Sequence, residues 1–309
     1  MLSDDRQYHR DRIPSFSLSV LKCFSCLLLL FACLGQPDMK LLAAEHLELH
    51  AERQAPTDLA VGGRLAGVPA GEVRFIRWSE LASLPAKQLR LTGEFLPGEQ
   101  VVTGLFLTDL WSALAVTADA DALLATCNDG YTSVYRTAFI RTYRPFLVLA
   151  INGLPPEHWP PPGLNFNPGP YVISVSAEVV PAVAQLLDAG HKRPWGVTHL
   201  EVARFSDCAA GIFQGRWANP SDRASAGREI WINSCASCHQ GPPDTFGGTK
   251  SDRSFEVLAA QAKLNTAYFK SYIRDPRSFV STAKMEPHPH YTDAQLDALV
   301  AFVTGEVKP

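Results

Sequence analysis

The sequence is poor in methionine, nearly balanced in charge and without an apolar run long enough to cross a bilayer repeatedly. Its 309 residues hold three methionines, and Met1 and Met39 lie at the N-terminal end. Lys plus Arg number 28 and Asp plus Glu 31, a net charge of −3. That balance argues against a nucleic-acid binder, which needs a basic face. No stretch reaches about 18 consecutive apolar residues, so a polytopic membrane protein is excluded. Internal repeats and low-complexity tracts are absent, which removes solenoids and repetitive linkers. Hydrophobic residues make up 46% and charged residues 19%, the balance of an ordinary globular chain.

What is present begins with a leader. Residues 1–22 are polar and carry Arg6, Arg10, Arg12 and Lys22, and an apolar run follows over 23–35. Leu42-Ala43-Ala44 then offers small residues before Glu45. A charged start, a short apolar core and a small-residue exit describe an export signal over 1–44. Leu30-Phe31-Ala32-Cys33 is similar to a bacterial lipobox, which would make Cys33 a lipidated N-terminus and anchor the chain to a membrane. Either route predicts a periplasmic or otherwise exported protein with no transmembrane span in the mature chain. Of seven cysteines, Cys23, Cys26 and Cys33 fall in the leader, leaving Cys127, Cys208, Cys235 and Cys238. Met285 is the one methionine beyond the leader.

Four zones follow. Residues 45–70 contain Gly62-Gly63, Gly67 and Pro69 and read as an extended segment leading into the first domain. Residues 71–206 carry short apolar runs between turn signals, the pattern of a strand-rich domain. Strands are expected at Val101-Val102, Phe146–Leu149, Tyr171–Val175 and Val197–Val202, and helices at Thr108–Leu114 and Ala177–Leu187. A proline cluster from Pro155 to Pro170 marks a stiff loop, because proline withholds an N–H and fixes φ. Residues 207–221 read as a linker, and 222–309 as helical.

Cys235-Ala236-Ser237-Cys238-His239 is C-x-x-C-H. Two thiols on one turn can each add to a vinyl group of one porphyrin, and the adjacent histidine can reach its iron, so this spacing marks covalent haem c attachment. A thioredoxin-like pair would want a strand before it and a parallel sheet around it. A zinc site would want a second ligand pair at suitable spacing. Neither is in the sequence. Ser221 or Ser225 can cap a helix leading into the motif, and Asn265 or Thr266 can cap another that Pro276 stops. Thr292-Asp293-Ala294-Gln295 is a capping box, after which Leu296, Leu299, Val300 and Val303 form an apolar stripe.

With these segments in view, residues 222–309 resemble a class I monohaem cytochrome c. The resemblance rests on Cys235–His239, Ile273-Arg274-Asp275-Pro276, Lys284-Met285-Glu286-Pro287 and Thr292–Val303. It implies an all-α fold holding one haem, with His239 as one axial ligand and Met285, on the loop before the last helix, as the other. Soft thioether chemistry at ferrous iron points the same way. His288 and His290 are the rival ligands. The resemblance also implies a haem edge near the loop leading to Met285, where Lys263, Lys270, Arg274, Arg277 and Lys284 stand against only Asp275. Such a basic face would steer an acidic redox partner protein.

Upstream, Trp78–Leu81, Thr103–Leu110, Asn128-Asp129-Gly130-Tyr131, Ala150–Pro155, Gly169–Ile173 and Trp195–Val202 occur in an order that resembles the sulfite-oxidase-type molybdopterin-binding fold, a mixed α+β domain. That family places a cysteine thiolate on molybdenum, and Cys127 is the candidate by position. Arg136, Arg141 and Arg144 follow it as candidate anion anchors or as a solvated face. Cys127 is otherwise an inert buried thiol or the partner of Cys208 in a disulfide. The expectation is an exported electron-transfer protein: a C-terminal haem c with both axial positions filled, carrying an N-terminal docking or scaffolding domain. A molybdenum-dependent oxidoreductase with a fused haem c acceptor is the runner-up. A haem-based sensor would need an open axial position, which Met285 argues against.

Overall fold

In the computed structural model, residues 46–92 and 97–308 are described. The expected export signal, with Cys33, lies outside them. The N-terminal region runs β1 (Leu59–Gly63), β2 (Val73–Ile76), α1 (Trp78–Ser83), β3 (Lys87–Thr92), β4 (Glu99–Phe106), α2 (Leu107–Ala113), β5 (Ala122–Cys127), β6 (Thr132–Arg136), α3 (Thr137–Tyr143), β7 (Phe146–Ile151), β8 (Tyr171–Ser174) and β9 (Trp195–Ala203). The C-terminal region runs α4 (Phe205–Cys208), α5 (Asp222–Asn233), α6 (Phe255–Leu264), α7 (Thr266–Arg274) and α8 (Asp293–Thr304). The first region is a sheet-rich mixed α/β fold and the second is helical. Both belong to one unit spanning Ala44–Pro309.

The nine strands form one sheet, ordered β2-β1-β9-β8-β7-β4-β3, with β5 joined to β9 and β6 joined to β5. Among the described pairings only β1 with β9 is parallel. Side-chain alternation divides the sheet between two cores. In β7, Leu147 and Leu149 enter the core shared with Leu59, Leu105 and Tyr171, while Phe146 and Val148 enter one with Leu91, Val102 and Trp159. Burial on both faces explains why β7 is continuously apolar rather than alternating. The anticipated strands coincide with parts of β4, β7, β8 and β9, Val175 lying one residue past the end of β8. The 45–70 segment, expected to be merely extended, supplies β1, which lies between β2 and β9.

One expected helix is not there. Within 177–187 the structure has a turn and then a 3₁₀ segment, Pro181–Gln185. Pro181 has no amide to donate and biases Val180 to the extended geometry it adopts, φ −136° and ψ 105°. The 207–221 stretch is no free tether: Ala209 and Ile212 are buried in the C-terminal core beside Phe205.

Candidate haem centre

The motif is positioned by α5. Ser221 Oγ accepts from Ala224 N at 3.0 Å and starts the helix. Gly227 then lets α5 cross α8 closely, since a Cβ there would lie 1.9 Å from Ala298 O. Ser234 leaves helical geometry at φ −129°, ψ −65°, and a 3₁₀ turn, Cys235–Ser237, follows. Cys238 N and His239 N both donate to Cys235 O, at 3.2 and 3.0 Å. Both thiols and the imidazole therefore stand on one tight turn. The next loop braces it: Gly248 N donates to Ala236 O at 2.8 Å and Ser251 N to Cys238 O at 3.0 Å. A Cβ at Gly248 would meet Ser237 O at 2.1 Å, so only glycine fits.

The chemistry of these groups fits a haem. Cys235 and Cys238 are free thiols. Burial first, then the Asp188 carboxylate, pushes Cys235 up to about 12. Cys238 is also raised by burial, with Lys250 opposing. Burial alone lowers His239, keeping a neutral imidazole, the form that binds iron. His239 Nδ1 and Trp231 Nε1 are buried without a protein hydrogen-bond partner, and their rings lie 6.1 Å apart, centroid to centroid. Two orphaned nitrogens beside the motif are costly unless a bound group meets them. A haem would be held here by Cys235, Cys238 and His239.

Met285 stands on the loop between α7 and α8, partly buried against the same core as Cys235. His288 N donates to Ile273 O at 3.0 Å, and Arg274 donates through Nε and Nη2 to Tyr291 O at 3.1 and 3.0 Å, fixing the loop's second half. The rival histidines are engaged elsewhere. His290 Nε2 lies 2.8 Å and His288 Nδ1 3.4 Å from Asp188 Oδ1.

The sheet domain meets the motif through the β5–β6 turn. Tyr131, half-buried, has its phenol raised by burial and lies close enough to Ser237, Cys238 and Cys127 to feel each of them. Cys127 sits at a bulge in β5 and is buried in the sheet core. Cys127 and Cys208 are not bonded to one another. Burial, then Asp129, pushes the Cys127 thiol up to about 12, with the Lys250 ammonium opposing. Arg136 pairs with Ala122 at the opposite end of the hairpin, five residues along the strand or about 17 Å away. Its guanidinium lies over Phe205, and that of Arg144 over Phe106. Two of the three candidate anion anchors are thus engaged with aromatic rings, which gives a pterin phosphate beside Cys127 poor support.

Sequence reasoning missed Asp188, Ser234, Tyr131, His191 and Tyr291. Asp188 lies 100 residues from His288, and no local pattern joins them. Tyr131 was visible only as part of a fold segment. The basic cluster is also altered by folding: Lys270 Nζ lies 2.8 Å from Asp297, and Arg274 Nη2 2.8 Å from Asp293. Lys263, Arg277 and Lys284 are exposed.

A C-x-x-C-H turn closed by a crossing of the first and last helices defines a c-type cytochrome domain. Residues 222–303 match the family model described as cytochrome C oxidase, cbb3-type, subunit III, and this region is a cytochrome c domain. No curated protein matches the chain. A similar solved structure is the sulfane dehydrogenase SoxCD from Paracoccus pantotrophus, 13% identical, with a TM-score of 0.34 over 50% of this chain and 40% of that one. The present chain thus spans well under half the length of that protein.

Proposed function

We propose that the protein is an exported one-electron carrier whose haem c is attached through Cys235 and Cys238 and ligated by His239 and Met285. The observation that carries the reading is the single turn that presents two free thiols and a half-buried, neutral imidazole against the core that also takes Met285. When bound, the haem supplies an Fe(III)/Fe(II) couple. The chain's own residues do the rest. The turn fixes both attachment points, so the cofactor is not lost between redox states. His239, kept neutral by burial, offers a lone pair without first losing a proton. Phe255 packs edge-to-face against both Trp231 and Phe302 beside it, and this aromatic cluster excludes water, which limits the solvent reorganisation accompanying a change of charge. Among the described residues no helix is long and apolar enough to cross a membrane.

The sheet domain fits a docking or scaffolding role derived from a molybdopterin-binding-like fold. The order of its sequence segments supports that descent, and the engagement of Arg136 and Arg144 with Phe205 and Phe106 argues against retained molybdenum chemistry. Acid–acetone extraction of the purified holoprotein tests the haem assignment: colour should stay with the polypeptide and be absent from the Cys235→Ala, Cys238→Ala double variant. A colourless polypeptide after extraction of wild type would overturn it. Near-stoichiometric molybdenum, lost on Cys127→Ser, would restore the oxidoreductase reading.

A further inference from the structure

Outside the haem residues, one cluster of side chains joins the two regions. Asp188, its side chain 6% exposed, precedes a 3₁₀ turn, Ala189–Lys192, that carries His191. Asp188 Oδ2 accepts from Ser234 Oγ at 2.6 Å and from the Tyr291 hydroxyl. Its Oδ1 faces His288 Nδ1 and His290 Nε2. The His191 and His288 rings stack, 5.4 Å between centroids and 25° between planes. One donor atom each from Asp188, His191 and His288 can be chosen so that all lie within 4.8 Å of one another.

We propose that Asp188, His191 and His288 bind a divalent cation of the zinc class at the junction of the sheet domain and the cytochrome domain. Two imidazoles and one carboxylate suit a borderline ion such as zinc, whereas calcium and magnesium take all-oxygen sets. Zinc–nitrogen bonds of about 2.0–2.1 Å place tetrahedral donors about 3.4 Å apart. Donors within 4.8 Å of one another would draw together to that spacing by small side-chain movements, with His290 or water able to take the fourth position. The supporting groups are already in place. The Tyr131 hydroxyl lies 2.8 Å from His191 Nδ1, so Nε2 is the nitrogen left for the cation. Ser234 and Tyr291 hold the second carboxylate oxygen. Burial keeps His191 neutral, down to about 4, against the pull of Asp188. Two of the three ligands come from the sheet domain and one from the loop that carries Met285, so the cation would fasten that loop to its neighbour.

The test is calorimetric titration of zinc into chelator-treated, full-length holoprotein, with haem iron counted separately by its pyridine complex. Wild type should bind about one zinc per chain, and Asp188→Asn and His191→Gln should each weaken binding by more than about tenfold. Zinc should raise the Tm of wild type and leave that of Asp188→Asn unmoved, with an unchanged Soret band showing that the variants are folded. The Glu48–His50–Glu80 cluster provides the control. Absence of zinc binding by wild type would overturn the proposal without involving any variant. So would binding that survives His191→Gln but is lost with His50→Gln.

Discussion

Lys250 Nζ donates to Asp129 Oδ2 at 2.6 Å, joining the loop after the haem motif to the β5–β6 turn of the sheet. Beside it, Thr249 N donates to Gly130 O at 2.8 Å. The backbone bond sets the register of the two segments and the ion pair closes over it. Burial alone would raise the Asp129 carboxyl, but the Lys250 ammonium and the Tyr131 amide outweigh it and hold it below its ordinary value. The sheet domain is thereby held against the face of the motif that bears Cys238.

Removing that tie should cost little stability. The side chains of Lys250 and Asp129 are 40% and 32% exposed, and such partly exposed pairs contribute about 0.5–1 kcal/mol. Lys250→Ala and Asp129→Asn should each lower urea stability by about that much, and the double variant by scarcely more, because both remove the same contact. Additive losses would show that the two residues act separately.

The α5–α8 crossing should tolerate far less. Gly227→Val puts its Cβ 1.9 Å from Ala298 O, against helix backbone that cannot rotate away. Overpacking of this kind costs about 3 kcal/mol or more. The variant should unfold its cytochrome domain at a clearly lower temperature, read by loss of the Soret band. Wild-type Tm in that variant would contradict the crossing.

Acid stability should depend on Asp119. It accepts from Thr117 Oγ1 at 2.7 Å and Arg204 Nη2 at 2.6 Å and also pairs with Arg64. Those contacts lower its carboxyl to about 2, Thr117 contributing most, then Arg204. Its folded value lies below the unfolded one of about 3.9, so its contribution is full above that pH and fades as pH falls through about 2. Asp119→Asn should flatten the stability–pH curve in this window when unfolding is followed stepwise in urea. An acid limb as steep as that of wild type would exclude Asp119 as its source.

The charge pairing of α7 with α8 redirects the docking expectation. Lys270 and Arg274 are met by Asp297 and Asp293, so exposed Lys284, next to Met285, is the more effective cation. Reaction with an anionic small oxidant should slow as salt rises. Lys284→Glu should remove more of that dependence than Lys270→Glu. Equal effects of the two substitutions would return the role to the whole basic cluster.

Local chemistry made much of this legible. The Thr292 and Gln295 capping box forms as read, with Gln295 N donating to Thr292 Oγ1 at 3.3 Å and Thr292 N to Gln295 Oε1 at 2.8 Å. The C-x-x-C-H spacing points to the candidate site because its thiols and imidazole are neighbours in sequence. The apolar runs of β7 and β8 announced a buried sheet. What stayed hidden arises from distant segments meeting. Asp188 lies just beyond the helix expected over Ala177–Leu187, which Pro181 prevents, and its partners Ser234, His288, His290 and Tyr291 come from the other domain. The pairing of β1 with β9 is parallel and remote in sequence, so nothing near residues 59–63 signalled a central strand.

The most direct test of the whole account is the axial ligand at Met285. Spectra and redox potential should be compared for wild type and Met285→Ala, both as full-length holoprotein. Oxidised wild type should show the weak near-infrared sulfur-to-iron band and a potential above that of a bis-histidine haem. Met285→Ala should lose the band and drop in potential while keeping its haem through Cys235 and Cys238. If band and potential are the same in both proteins, Met285 is not the ligand and the His/Met electron carrier described above is wrong.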